Sequence, residues 1–188
     1  METVNRSAAE RAVRDLLSAF HIKPRPGMSE TPKRVVKMLE EVWQGEQYSN
    51  KELAAMYNKT FECDSSSMVV VRDIEVFSYC EHHLALIYNM KVSVGYLPEG
   101  RVIGLSKIAR IVDMCCKRLQ LQERIGADIA EVLSYIVGQH VVVRIEANHS
   151  CMTARGIKKP SSKTVTFTRH GAFEENAELF NEFLAAIS

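Results

Sequence analysis

The stretch HVVVRIEANHSCM, His140–Met152, decides how this chain is read. Val141, Val143, Ile145 and Ala147 alternate with Val142, Arg144, Glu146 and Asn148. That is the two-residue period of a β-strand with one apolar face and one more polar face. Carried past the end of the strand, the same alternation brings His149 and Cys151 out on the apolar side. One strand is therefore expected to supply core at its middle and an imidazole and a thiol at its end.

Working outward, KKPSSKTVTFTR supplies a Pro-Ser turn and a partner strand, and ENAELFNEFLAAI closes the chain with a short helix. Upstream, MVVVRDIEVFS, MKVSVGYLP and RVIGL are short and rich in β-branched residues, with a turn signal at Pro98 to Gly100, and are expected to pair. Between the two strand groups, SKIARIVDMCCKRL and QERIGADIAEVLSYIV predict two helices, the first burying Ile108, Ile111, Val112 and Cys115. At the other end, Ser7 and Glu10 form a capping box for a helix bearing Val13, Leu16, Leu17 and Phe20, stopped before Pro24 and Pro26. A second helix starts at Thr31 with Pro32 in its first turn, carries Val35, Val36, Leu39, Val42 and Trp43 on one side, and ends at Gly45. This order predicts an α+β fold: an antiparallel sheet, a helical pair packed on it and an N-terminal helical extension. The expected division is an N-terminal helical segment, 1–45, and a catalytic domain, 46–188.

Composition is that of a globular protein, 46% hydrophobic and 25% charged over 188 residues. A formal net charge of +1 argues against nucleic acid as the main partner, because phosphate backbones select strongly basic surfaces. METVNRSAAERAVRDLL mixes charges into its apolar positions, unlike a signal peptide or a membrane span, so the expected place is the cytoplasm, with no membrane partner. The five cysteines are read as reduced. Cys115 and Cys116, inside IVDMCC, belong to a core.

CEHH, Cys80–His83, and HSC, His149–Cys151, gather the remaining chemistry. A catalytic zinc ion takes three ligands from Cys, His or carboxylate and keeps a fourth position open. Cys80 and His83 reach one ion if a tight turn joins them, whereas a straight strand would send them to opposite faces. A third ligand is then available from the end of the strand through Ile145. Spacing alone allows this metal without identifying a reaction.

CEHH, VIGLSKIARIV, RLQLQER and HSCMTARGIKKP, in this order, closely resemble the zinc-dependent GTP cyclohydrolase I family, from about Thr31 to Phe173. The resemblance implies a tunnelling fold, zinc held by Cys80, His83 and Cys151 (one ion per subunit), and His149 and His82 free for proton transfer. It implies that water activated by the metal attacks C8 of GTP. The imidazole ring opens, formate leaves, and the ribose rearranges and recloses as 7,8-dihydroneopterin triphosphate. Glu123, with Gln122 beside it, would recognise guanine as a buried carboxylate. Ser106, Lys107, Arg110 and Arg155 would meet the triphosphate, and Arg34 and Lys37 would reach it from a neighbouring subunit. The family assembles as a toroidal homodecamer with active sites at subunit interfaces, and the resemblance leaves allosteric regulation open.

Three departures from the family pattern stand out: LALIYNMK after CEHH is one residue longer and lacks a glycine, Ser161 replaces a common glycine, and His170 is unexpected. The first predicts an altered hairpin turn. Two related tunnelling-fold enzymes, a nitrile reductase of queuosine synthesis and a pyruvoyl-tetrahydropterin synthase, carry other ligand patterns. A non-catalytic zinc or nucleotide-binding protein is the rival from another class, and it would be favoured had His149 or Cys151 been replaced.

Overall fold

The structure is a computed structural model and describes residues 4–188. Its α-helices are α1 (Arg6–Ala19), α2 (Thr31–Val42), α3 (Asn50–Tyr57), α4 (Leu105–Cys116), α5 (Gln122–Val137), α6 (Ser150–Thr153), α7 (Ala172–Glu175) and α8 (Ala177–Ala186). The strands are β1 (Thr60–Glu62), β2 (Val69–Cys80), β3 (Ala85–Tyr96), β4 (Arg101–Ile103), β5 (Leu119–Gln120), β6 (Val141–His149) and β7 (Thr164–Arg169). The main sheet runs β5-β2-β3-β6-β7, antiparallel except for the short parallel contact of β5 with β2. This is the expected α+β architecture with a helical pair, α4 and α5, on one sheet face.

The alternation in β6 explains the layering. Val141, Val143, Ile145 and Ala147 are fully buried and join Ile108, Ile111, Val112, Ile125, Ile129 and Leu133 in the main core. Val142 points the other way, into a second cluster with Phe173 and Phe183 from the C-terminal helices. Burying such side chains contributes roughly 1.5–3 kcal/mol each, the main force fixing helices to sheet. Cys115 and Cys116 lie in this core as expected, and burial pushes the Cys115 thiol up to about 12.

Several expectations are corrected. Asn5, not Ser7, caps α1, accepting from the Ala8 N–H. The second helix ends at Val42, and a 3-10 turn, Gln44–Gln47, follows. RVIGL leaves the main sheet: β4 pairs with β1 in a separate two-stranded ribbon. Helix α3 was not anticipated, although Ser49 and Glu52 form its capping box.

The strand that follows the CEHH turn carries a β-bulge: Tyr88 to Lys91 spans one residue more than Glu146 to Asn148 opposite. Asn89 takes φ 49 there, a left-handed conformation that asparagine tolerates better than most residues, which is why no glycine is needed.

Candidate metal centre and active site

β2 ends at Cys80, and residues Glu81 to Leu84 turn the chain into β3. The turn meets the condition set by the spacing of Cys80 and His83: His83 Nδ1 comes within 3.9 Å of Cys80 Sγ. β6 ends at His149, and the chain enters the one-turn helix α6, which carries Cys151. Cys151 thus arrives by a helical turn rather than by continued alternation. β3 and β6 are neighbours in register Ile87 with His149, so the two chain ends meet at one edge of the main core. A hydrogen bond of 2.9 Å between Tyr88 Oη and Thr153 Oγ1 ties α6 to β3.

The result is a three-residue group. Potential ligand atoms of Cys80, His83 and Cys151 all lie within 4.8 Å of one another. Tetrahedral zinc, with metal–sulfur bonds of ~2.3 Å and metal–nitrogen bonds of ~2.0 Å, brings its ligands to comparable separations, so the donor set fits that ion. Burial and the nearby Cys80 push the Cys151 thiol up. A divalent cation between the two sulfurs would reverse that balance.

His149 is half-buried on the inner face. Its Nε2 lies 2.8 Å from Gln122 Oε1. Burial holds the imidazole below its ordinary pKa, and the Glu123 carboxylate opposes that. Gln122 is 2% exposed. Its Nε2 donates to Ile145 O, Thr164 O and Thr166 Oγ1, so the amide holds β6, β7 and His149 together. Glu123 and His82 are exposed, and the expected burial of the Glu123 carboxylate is absent in the single chain. Arg155 Nη1 donates to His83 Nε2 at 2.9 Å, against a ligand candidate.

The remaining candidates lie on α4 and α2. The C-terminal end of α4 adjoins the end of β2, where Ser78 Oγ donates to Arg118 O at 3.4 Å and Leu119 pairs with Tyr79. Ser106, the second residue of α4, stands ten residues before Cys116, about 15 Å away along the helix axis at ~1.5 Å per residue. Ser106 and Arg110 are exposed there and Lys107 is half-buried. Arg34 and Lys37 are exposed on α2.

Two contacts escaped the sequence reading. Glu81 of CEHH binds Arg124 of RLQLQER, with Nη1 to Oε2 at 2.6 Å and Nη2 to Oε1 at 3.3 Å. Arg118 joins Gly45 O, Tyr48 O, Asn50 Oδ1 and Asp128 Oδ2. The charges were visible, but nothing local in a sequence pairs Glu81 with a residue 43 positions on.

An α+β chain with a Cys-His-Cys group for a divalent metal, an imidazole behind it and a carboxylate at the neighbouring helix start has the makings of a metal-dependent enzyme. The sequence profile of the family described as GTP cyclohydrolase I matches residues 9–188, and the chain belongs to that family. It is 53% identical over 185 residues to "GTP cyclohydrolase 1" of Clostridium botulinum (strain Kyoto / Type A2), covering 94% of each chain. It is 50% identical over 190 residues to the proteins of the same name from Clostridium acetobutylicum and Ruminiclostridium cellulolyticum, covering 97% of each. No helix among the described residues is long and apolar enough to cross a membrane.

Proposed function

We propose that this chain is a GTP cyclohydrolase I, converting GTP and water to 7,8-dihydroneopterin 3'-triphosphate and formate at the start of pterin and tetrahydrofolate synthesis. The observation that carries the reading is the convergence of two remote turns, after β2 and after β6, on one cation-sized gap in a member of this family. Cys80, His83 and Cys151 would hold one zinc ion per subunit. When bound, zinc supplies Lewis acidity and brings the ionisation of water close to neutral pH, as attack on guanine C8 requires.

The protein's own groups do the rest. His149, oriented by Gln122 and two residues before the ligand candidate Cys151, carries protons during ring opening and reclosure. His82, on the turn next to His83, assists from the solvent side. Glu123 accepts the guanine N1–H and 2-amino group together. Adenine does not present that pair of donors and would leave the carboxylate unsatisfied. Gln122, with its amide committed to protein partners, serves the guanine site by fixing His149 and the start of α5.

Arg155 adjoins the metal group and meets the triphosphate there. Ser106, Lys107 and Arg110, in the first two turns of α4, come from a second copy, with a helix start suited to anions. Arg34 and Lys37 approach from a further copy. Two open sheet edges support such assembly: β7 has no outer neighbour among the described residues, and β2 before Tyr79 pairs with β3 alone. Joining these edges closes sheets of successive copies into a barrel, and a toroidal homodecamer is the assembly proposed. In it, residues 1–45 form the helical segment and 46–188 the catalytic domain. The enzyme works in the cytoplasm, without nucleic acid or membrane.

The test is metal analysis of the purified protein, combined with conversion of GTP to a pterin that fluoresces after oxidation. One zinc per chain, chelator-sensitive turnover and no turnover of ATP are expected. Full turnover with no metal present would refute the reading.

A further inference from the structure

We propose that the Glu81–Arg124 ion pair is a positioning clasp that holds the ligand-bearing turn of the metal centre on the start of α5. The inference rests on the reading of Cys80, His83 and Cys151 as a metal site.

The carboxylate of CEHH takes no part in the ligand set, yet it makes a two-pronged contact with the Arg124 guanidinium at 2.6 and 3.3 Å. All four turn residues, Glu81 to Leu84, are exposed, and Leu84 closes the turn in the left-handed region at φ 49. The turn has no core packing to hold it. One backbone bond, Glu81 N–H to Gln120 O at 3.1 Å, ties its first residue, and the remaining tie to the body on the α5 side is the clasp.

The other end of the clasp is well anchored. α5 buries Gln122, Ile125, Gly126 and Ile129, and so is fixed on the sheet. Arg124 stands two residues after Gln122, which holds His149, and one after Glu123. A single turn of helix therefore sets the distance between the turn carrying His83 and the imidazole and carboxylate of the site.

Side chains 46% and 34% exposed make an ion pair of little value to global stability. Position is what such a fork contributes, because two parallel bonds fix orientation as well as distance. Contacts to the residues around a metal's ligands typically cost ten- to a hundredfold in affinity or activity when lost.

The experiment compares zinc affinity, by competition with a chromophoric chelator, and the visible spectrum of the cobalt-loaded protein, in wild type, Glu81→Gln, Arg124→Gln and the double variant. Circular dichroism checks that each is folded. The clasp predicts that both single variants bind zinc about tenfold more weakly, with an altered cobalt spectrum, and that the double variant is no worse than either. Arg124→Lys should recover part of the loss. It also predicts that kcat falls while KM stays within about twofold. A charge effect alone predicts the opposite sign at one position, since removing the Arg124 cation would tighten binding of a dication. Tighter or unchanged zinc binding by Arg124→Gln, with an unaltered spectrum, overturns the clasp. Failure of the wild type to bind either metal overturns the metal reading and the clasp together.

Discussion

In the proposed mechanism the side chains around the metal site divide into those that bind and those that move protons. Cys151→Ala would remove one of the three proposed ligands and should abolish stoichiometric zinc and turnover together, read by metal analysis and a GTP assay. His149→Ala leaves the ligand set complete. It should retain zinc while turnover falls by at least ~100-fold, the usual contribution of a positioned proton carrier. Thiol reactivity separates the cysteines. Cys115 and Cys116 are buried, with thiols raised by desolvation, so both should resist alkylation at neutral pH in the native protein. Cys151 should become reactive when a chelator strips the metal and be protected when zinc is restored, measured by mass spectrometry of labelled peptides.

Among the elements, the knot around Arg118 matters most to stability. Its guanidinium joins the segment before α3 to α5 through Gly45 O, Tyr48 O, Asn50 Oδ1 and Asp128 Oδ2. Arg118 and Asp128 are 11% and 15% exposed. Removing one partner leaves a charge with few alternatives, a loss of about 3–5 kcal/mol. Arg118→Ala should therefore lower the unfolding midpoint strongly. Gly45 packs in the same knot: a Cβ there would stand 2.1 Å from Met114 O, so Gly45→Ala must displace backbone and should also destabilise. On the opposite sheet face, Lys163 and Arg144 hold the Glu146 carboxylate below its ordinary pKa of 4.5. That stabilisation is present above the unfolded value and is lost as pH falls through the lower folded value. Wild-type unfolding midpoints should drop in acid more steeply than those of Glu146→Gln, by a small margin because Lys163 is exposed.

Across the whole molecule, the proposed assembly makes a specific demand. If copies complete one another's sites, His149→Ala and Arg110→Ala are each inactive, but their mixed assemblies contain sites with both wild-type residues. Random reassembly should return about a quarter of wild-type activity. No recovery in mixed oligomers, verified by tagged co-purification, would place Arg110 outside a shared site.

What the sequence determined by itself was local. The period of β6, the helices α4 and α5, the buried cysteine pair and the candidate metal donors Cys80, His83 and Cys151 were all legible, because alternation, helical spacing and donor chemistry depend on near neighbours. Tertiary structure alone decided the rest. It sent β4 to β1, put a bulge into β3, and brought Cys151 in on a helical turn. It also paired Glu81 with Arg124 and committed Gln122 to His149. Each of those outcomes depends on which distant surfaces compete for the same contact, a comparison made only once the sheet and its helices have packed.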